Sequence, residues 1–92
     1  MNTILRITDV LQTPGNDNDI RSGLLAFLCA TINGRIRIDG MTLRRTANGR
    51  LMVSFPSRRD SAGRHHPIIE PLDQATRLDL EQQIFAFLGV DR

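Results

Sequence analysis

The sequence predicts an α+β fold, a small antiparallel sheet of about four to five strands in meander order followed by one C-terminal helix. Three observations carry this expectation. Two Asn-Gly pairs, Asn33-Gly34 and Asn48-Gly49, stand between runs of alternating apolar residues, and turns that tight join only strands that pair antiparallel. Beyond Asp73 the apolar residues fall at helical rather than alternating spacing. A chain of 92 residues has room for one core, so residues 1–92 are read as a single domain.

From Ile4 to Leu11 the chain is rich in Ile, Leu, Thr and Val, which suit a pleated surface, and it reads as a strand. The run Thr13 to Asp19 closes that strand as a polar loop. Leu24 to Ile32, LLAFLCATI, is almost continuously apolar and reads as a buried central strand, with Cys29 a small hydrophobe inside it. Asn33-Gly34 suits a type I′ turn, whose two central positions both need positive φ. Arg35-Ile36-Arg37-Ile38 then alternates, the two Ile inward and the two Arg outward. Past Gly40 the parity changes, because Met41 and Leu43 are now the apolar positions. A β-bulge at Gly40 absorbs the extra residue and leaves Thr42 and Arg44 outside with Arg35 and Arg37; a hairpin turn at Asp39-Gly40 would leave the next strand a very short partner.

After the turn at Asn48-Gly49, Leu51, Val53 and Phe55 alternate inward until Pro56 ends the regular pairing. Ser57 to His66 is polar and Arg-rich and reads as a loop, and Pro67 to Pro71 as a short extended edge bracketed by prolines. Asp73 is the expected N-cap of the helix and Gly89 its stop. Leu78, Leu80, Ile84, Phe85, Phe87 and Leu88 spread over about half the helix circumference. One small sheet covers less than that and keeps an unprotected edge, so the chain is expected to form a homodimer.

Composition narrows the function classes. At 40% hydrophobic and 24% charged the chain is globular, and a single Cys forbids an internal disulfide. No run approaches the roughly 20 apolar residues of a membrane span, and Arg6 and Asp9 interrupt the N-terminus where an export signal would be apolar. A cytoplasmic location without membrane association is expected. No Gly-rich phosphate loop, nucleophile motif or usefully spaced carboxylate pair occurs, which predicts no enzyme, no cofactor and no small-molecule substrate. His65-His66, Asp60 and Cys29 do not suggest a metal site, because adjacent His on an extended segment point to opposite sides.

Charge is the feature that remains. The net charge is +2, but residues 35–64 hold eight Arg (Arg35, Arg37, Arg44, Arg45, Arg50, Arg58, Arg59 and Arg64) against Asp39 and Asp60. All twelve cations are Arg, which makes bidentate contacts to phosphate; a compositional preference for Arg would give the same count. The expected nucleic-acid contacts are Arg58, Arg59 and Arg64, around a loop that also holds Ser57, Ser61, His65 and His66, with Arg35, Arg37 and Arg44 as a second stripe on the outer sheet face. A solvated basic surface is the competing reading. With no Trp or Tyr, and with Phe27, Phe55, Phe85 and Phe87 all assigned to the apolar side, phosphate contact is expected in place of base stacking. Arg77 lies one helical turn before Glu81, which suggests an internal ion pair or a cap on strand carbonyls, with ligand contact as the alternative.

Several strings in this order resemble the SpoVG family, bacterial proteins named after stage V sporulation protein G. They are ITDV (Ile7 to Val10), GLLAFLCATING (Gly23 to Gly34), NGRLMVSFPSRR (Asn48 to Arg59) and HPIIEPLDQATR (His66 to Arg77). The most specific is Phe55-Pro56-Ser57-Arg58-Arg59, then a Gly-containing loop, His66-Pro67-Ile68, and Arg77 near the helix start. The loop is several residues shorter than the family pattern, with Ala62-Gly63 where the family tends to show Asp-Gly, and Arg92 follows the helix without the charged extension of many members. The resemblance implies a small antiparallel sheet with a C-terminal helix and a homodimer associating through β-structure. It further implies a non-enzymatic regulator, DNA-binding or RNA-binding, that affects septation, cell division and sporulation. A dimeric protein-interaction adaptor in septation is the alternative.

Overall fold

Alternation along Leu24–Ile32 sets the architecture: Ala26, Leu28, Ala30 and Ile32 are buried, and the residues between them lie on the other face. The structure, a computed structural model, describes residues 5–90. It is α+β, with a four-stranded antiparallel meander in the order β1 (Ile7–Pro14), β2 (Leu24–Ile32), β3 (Ile36–Arg45) and β4 (Leu51–Ser54). A short helix α1 (Asp17–Arg21) lies between β1 and β2, and a separate hairpin of β5 (Ser57–Arg59) and β6 (His65–Pro67) leads to the helix α2 (Gln74–Leu88). Leu80, Ile84 and Phe85 of α2 join the even-numbered side chains of β2, together with Ile7, Ile38, Met41, Leu43 and Val53, in one core.

The turns act through the chemistry that predicts them, with one difference. Asn33 and Gly34 both have positive φ (54° and 65°), and the Arg35 amide donates to the Ile32 carbonyl at 3.0 Å, a type I′ turn. At Asn48-Gly49 only the glycine is left-handed (φ 86°). Thr46 and Arg50 face each other there, the Thr46 amide donating to the Arg50 carbonyl at 2.8 Å across a loop closed by Gly49. This is a three-residue loop with glycine at the left-handed position, in place of a two-residue turn. The bulge at Gly40 is present. Leu28 pairs with Met41 and Ala30 with Ile38, so Asp39 and Gly40 together oppose Cys29, and Gly40 takes φ 82°. Met41 and Leu43 are thereby buried, and Arg44 is exposed on the same face as Arg37.

Several expectations are corrected. The first strand runs Ile7–Pro14 where the sequence predicts Ile4 to Leu11, because β2 is long enough to pair with it as far as Pro14 opposite Ala26; Ile4 lies outside the described residues. Part of the predicted loop from Thr13 to Asp19 is therefore strand, and part is α1. Asn16 and Asp19 form the capping box of that helix, each side chain accepting the other's amide, at 2.8 and 3.0 Å. Ile36 has the inward parity but is 61% exposed, since it stands at the turn end of the hairpin, outside the packed cluster. The Ser57 to His66 segment is not simply a loop, because Ser57, Arg58 and Arg59 pair with Pro67, His66 and His65. β2 is central but buried on one face only: Phe27 is 46% exposed and Cys29 half-buried on the face away from α2, and Phe87 is exposed on α2 itself.

The helix also closes sheet edges with its side chains. Gln83 acts as a surrogate peptide group for β1, accepting from the Ile7 amide at 2.7 Å and donating to the Leu5 carbonyl at 3.1 Å. On β4 the Val53 amide donates to Glu81 Oε2 at 2.8 Å, and the Val53 carbonyl accepts from Arg77 Nη2 at 3.1 Å. Both sheet edges are thus capped in part, where the sequence suggests an unprotected edge. The predicted cap of Arg77 on a strand carbonyl is this contact. Asp73 accepts from the Thr76 amide at 2.7 Å as N-cap, and Gly89 ends α2 in the left-handed conformation.

Candidate nucleic-acid interface

The β5–β6 hairpin is held by one carboxylate. Asp60 Oδ1 accepts the amides of Ala62 and Arg64, each at 2.9 Å, while Oδ2 takes Arg64 Nε at 3.0 Å and His66 Nε2 at 2.8 Å. The His66 contact, followed by the Arg64 amide, holds the Asp60 carboxyl below the ordinary aspartate value of 3.8, so it is ionised at neutral pH. Arg64 therefore spends its Nε on an internal ion pair, although its side chain remains 77% exposed.

Pairing within the hairpin separates two neighbours. Arg58 stands opposite His66 and Arg59 opposite His65, and successive strand residues face opposite sides, so Arg58 and Arg59 do not act on one surface. The Arg59 side faces a cleft of about 650 Å³ where the end of β4, the hairpin and the start of α2 meet. Arg44, Arg59, His65 and Arg77 line it, with the hydroxyl residues Thr42, Ser54 and Ser57 between them and Glu70 as the one carboxylate among its described lining residues. Arg44 reaches this cleft because the bulge at Gly40 reverses the parity of β3, and Pro56 packs over the same glycine. Arg77 is fixed there by the Val53 carbonyl and by the Phe55 ring, whose centre is 5.9 Å from the guanidinium carbon. Three guanidinium groups and hydroxyls around an open cleft match the donors that a phosphodiester accepts.

No model of a known protein family matches the chain, and no curated protein matches it.

Of the predicted contacts, the cleft brings together Arg44 and Arg59. Arg58 lies on the other side of the hairpin, and Arg64 is paired with Asp60. Arg35 is in the type I′ turn, and Arg37 is on the open sheet face opposite Thr31; neither lines the cleft. Sequence reasoning favours a structural role for Arg77 over ligand contact, because Glu81 stands one turn away; the structure shows the strand-carbonyl contact and also places Arg77 in the cleft lining. Sequence reasoning misses the exposure of Phe27, although Thr31 has the same parity and marks that face of β2 as the more polar one. Among the described residues, no three of His, Cys, Asp and Glu lie close enough to hold a metal ion. No described helix is long and apolar enough to cross a membrane.

Proposed function

We propose that this protein is a small, non-enzymatic, cytoplasmic nucleic-acid-binding regulator of the SpoVG type, which grips phosphates through the cleft between β4, the β5–β6 hairpin and α2. The observation that carries the reading is the convergence of Arg44, Arg59 and Arg77, drawn from three separate elements, on one cleft with a single carboxylate among its described lining residues. Surface charge that only solubilises needs no such convergence. The concentration of Arg in residues 35–64 and the resemblance of its motif strings to the SpoVG family support the same reading. A mobility-shift series with duplex DNA, single-stranded DNA and RNA at several salt concentrations tests it. If a dimer neutralises about six phosphates, log K for duplex DNA falls against log salt with a slope near −5; no shift at low salt would end the proposal.

The protein acts as a homodimer in this reading. Ile68, Ile69 and Leu72, the last 92% exposed, stand together before α2, and a two-fold partner would cover them. Light scattering coupled to size exclusion at micromolar concentration is expected to give twice the monomer mass, and a concentration-independent monomer would contradict it. The adaptor reading, a dimer in septation that recruits protein partners, needs the same dimer and no nucleic acid. It takes over if the dimer forms and shifts no nucleic acid.

A further inference from the structure

The sheet face away from α2 is uncovered among the described residues, and Phe27 stands near its middle. It lies on a central strand, directly between Thr13 of β1 and Thr42 of β3, and is nearly half exposed. Short hydroxyl side chains on both sides leave the flat of the ring accessible. Arg44, two residues beyond Thr42, is its diagonal neighbour, and Arg37 lies on the same face towards the Asn33-Gly34 turn. Two carboxylates share this face, Asp9 on the edge strand opposite Thr31 and Asp39 in the bulge opposite Cys29, where its Oδ1 accepts the Gly40 amide at 2.8 Å. An aromatic between two guanidinium groups on an open sheet fits a ligand that alternates flat apolar rings with anions. Thr42 and Arg44 also line the phosphate cleft, so the two surfaces are continuous.

We propose that this face binds single-stranded nucleic acid, with Phe27 stacking on an unpaired base and Arg37 and Arg44 holding the phosphates on either side. A duplex buries its base faces and can offer the ring nothing, whereas every unpaired base has a face to stack. A second copy of the chain, covering Leu11 and Phe27 together, is the competing occupant that the test must exclude. The inference rests on the nucleic-acid reading above and adds to it the strandedness of the ligand and the residue that recognises it.

The test uses the full chain with an oligothymidylate and an oligouridylate of about twelve nucleotides, an abasic deoxyribose-phosphate strand of equal length, and a duplex. Phe27→Ala is expected to weaken binding to the thymidylate or the uridylate by roughly ten- to a hundredfold and to leave the duplex and the abasic strand unchanged. Whichever of the two strands binds more tightly identifies the preferred sugar. The chain has no Trp or Tyr, so Phe27→Trp supplies a sole indole, whose fluorescence the base-bearing strands should quench and the abasic strand should not. Equal weakening on all four ligands, or binding without quenching, overturns the stacking proposal while leaving phosphate contact intact. Conversion of a wild-type dimer to a monomer by Phe27→Ala overturns it in favour of a contact between copies. Wild-type protein that binds none of the four ligands removes both proposals.

Discussion

Replacing Arg44 and Arg59 together with Ala is expected to weaken duplex binding by about a hundred- to thousandfold near physiological salt and to flatten the salt slope by about 0.9 for each phosphate that is no longer neutralised. Both side chains line the cleft, one from β3 beyond the bulge and one from β5, and both are exposed. Because phosphate contacts carry no base information, the weakening should be uniform across sequences. The informative control is Arg35→Ala with Arg58→Ala, which removes the same charge from positions outside the cleft. Mobility shifts that respond equally to the two double variants would make binding a matter of overall charge and end the role of the cleft. Unchanged folding of both variants, followed by circular dichroism, separates affinity from stability.

Truncating Glu81 to Ala is expected to cost about 2–4 kcal/mol and to lower the melting temperature by roughly 10–25 °C. Glu81 is 4% exposed, and its carboxylate receives the amide of Val53, a residue with no exposed surface. Without that acceptor the amide of a fully buried residue loses its partner. Glu81→Gln retains a carbonyl oxygen in the same place and should lose only about 1 kcal/mol. Thermal unfolding of the two variants decides the matter, and equal losses would mean that the charge of Glu81, and not its hydrogen bond to β4, is what the fold uses. The effect should extend to binding, since Glu81 and Arg77 hold the amide and the carbonyl of the same residue, Val53, on the free edge of β4, and Arg77 lines the cleft.

Features set by a few adjacent residues are legible without coordinates. Asn33-Gly34 encodes its turn because two successive positive φ angles exclude most other residues, and Gly40 encodes its bulge because the parity of apolar residues reverses across it. Asp73 and Gly89 mark the ends of α2 for equally local reasons: a side-chain acceptor for orphan amides at one end, a left-handed residue at the other. These elements imply the antiparallel meander and the single long helix, and they put Arg44 on the outer face. The short helix after Asn16 is also encoded locally, in the Asn16–Asp19 capping box, but the density of turn-forming residues there masks it.

Tertiary structure decided what covers what. Alternation along β2 assigns Phe27 and Leu28 to opposite faces but cannot say which face receives α2 when both carry apolar side chains; that depends on where a helix some fifty residues later comes to rest. For the same reason the inward parity of Ile36 does not bury it, and the second half of a polar segment had to pair with the first before Arg58 and Arg59 could be told apart. The sequence alone thus determined a basic, single-core α+β chain with a reversed register at Gly40. Only the packing of α2 and the pairing of β5 with β6 determined that Arg44, Arg59 and Arg77 share a cleft and that Phe27 faces outward, because each of those outcomes depends on contacts between residues far apart in the chain.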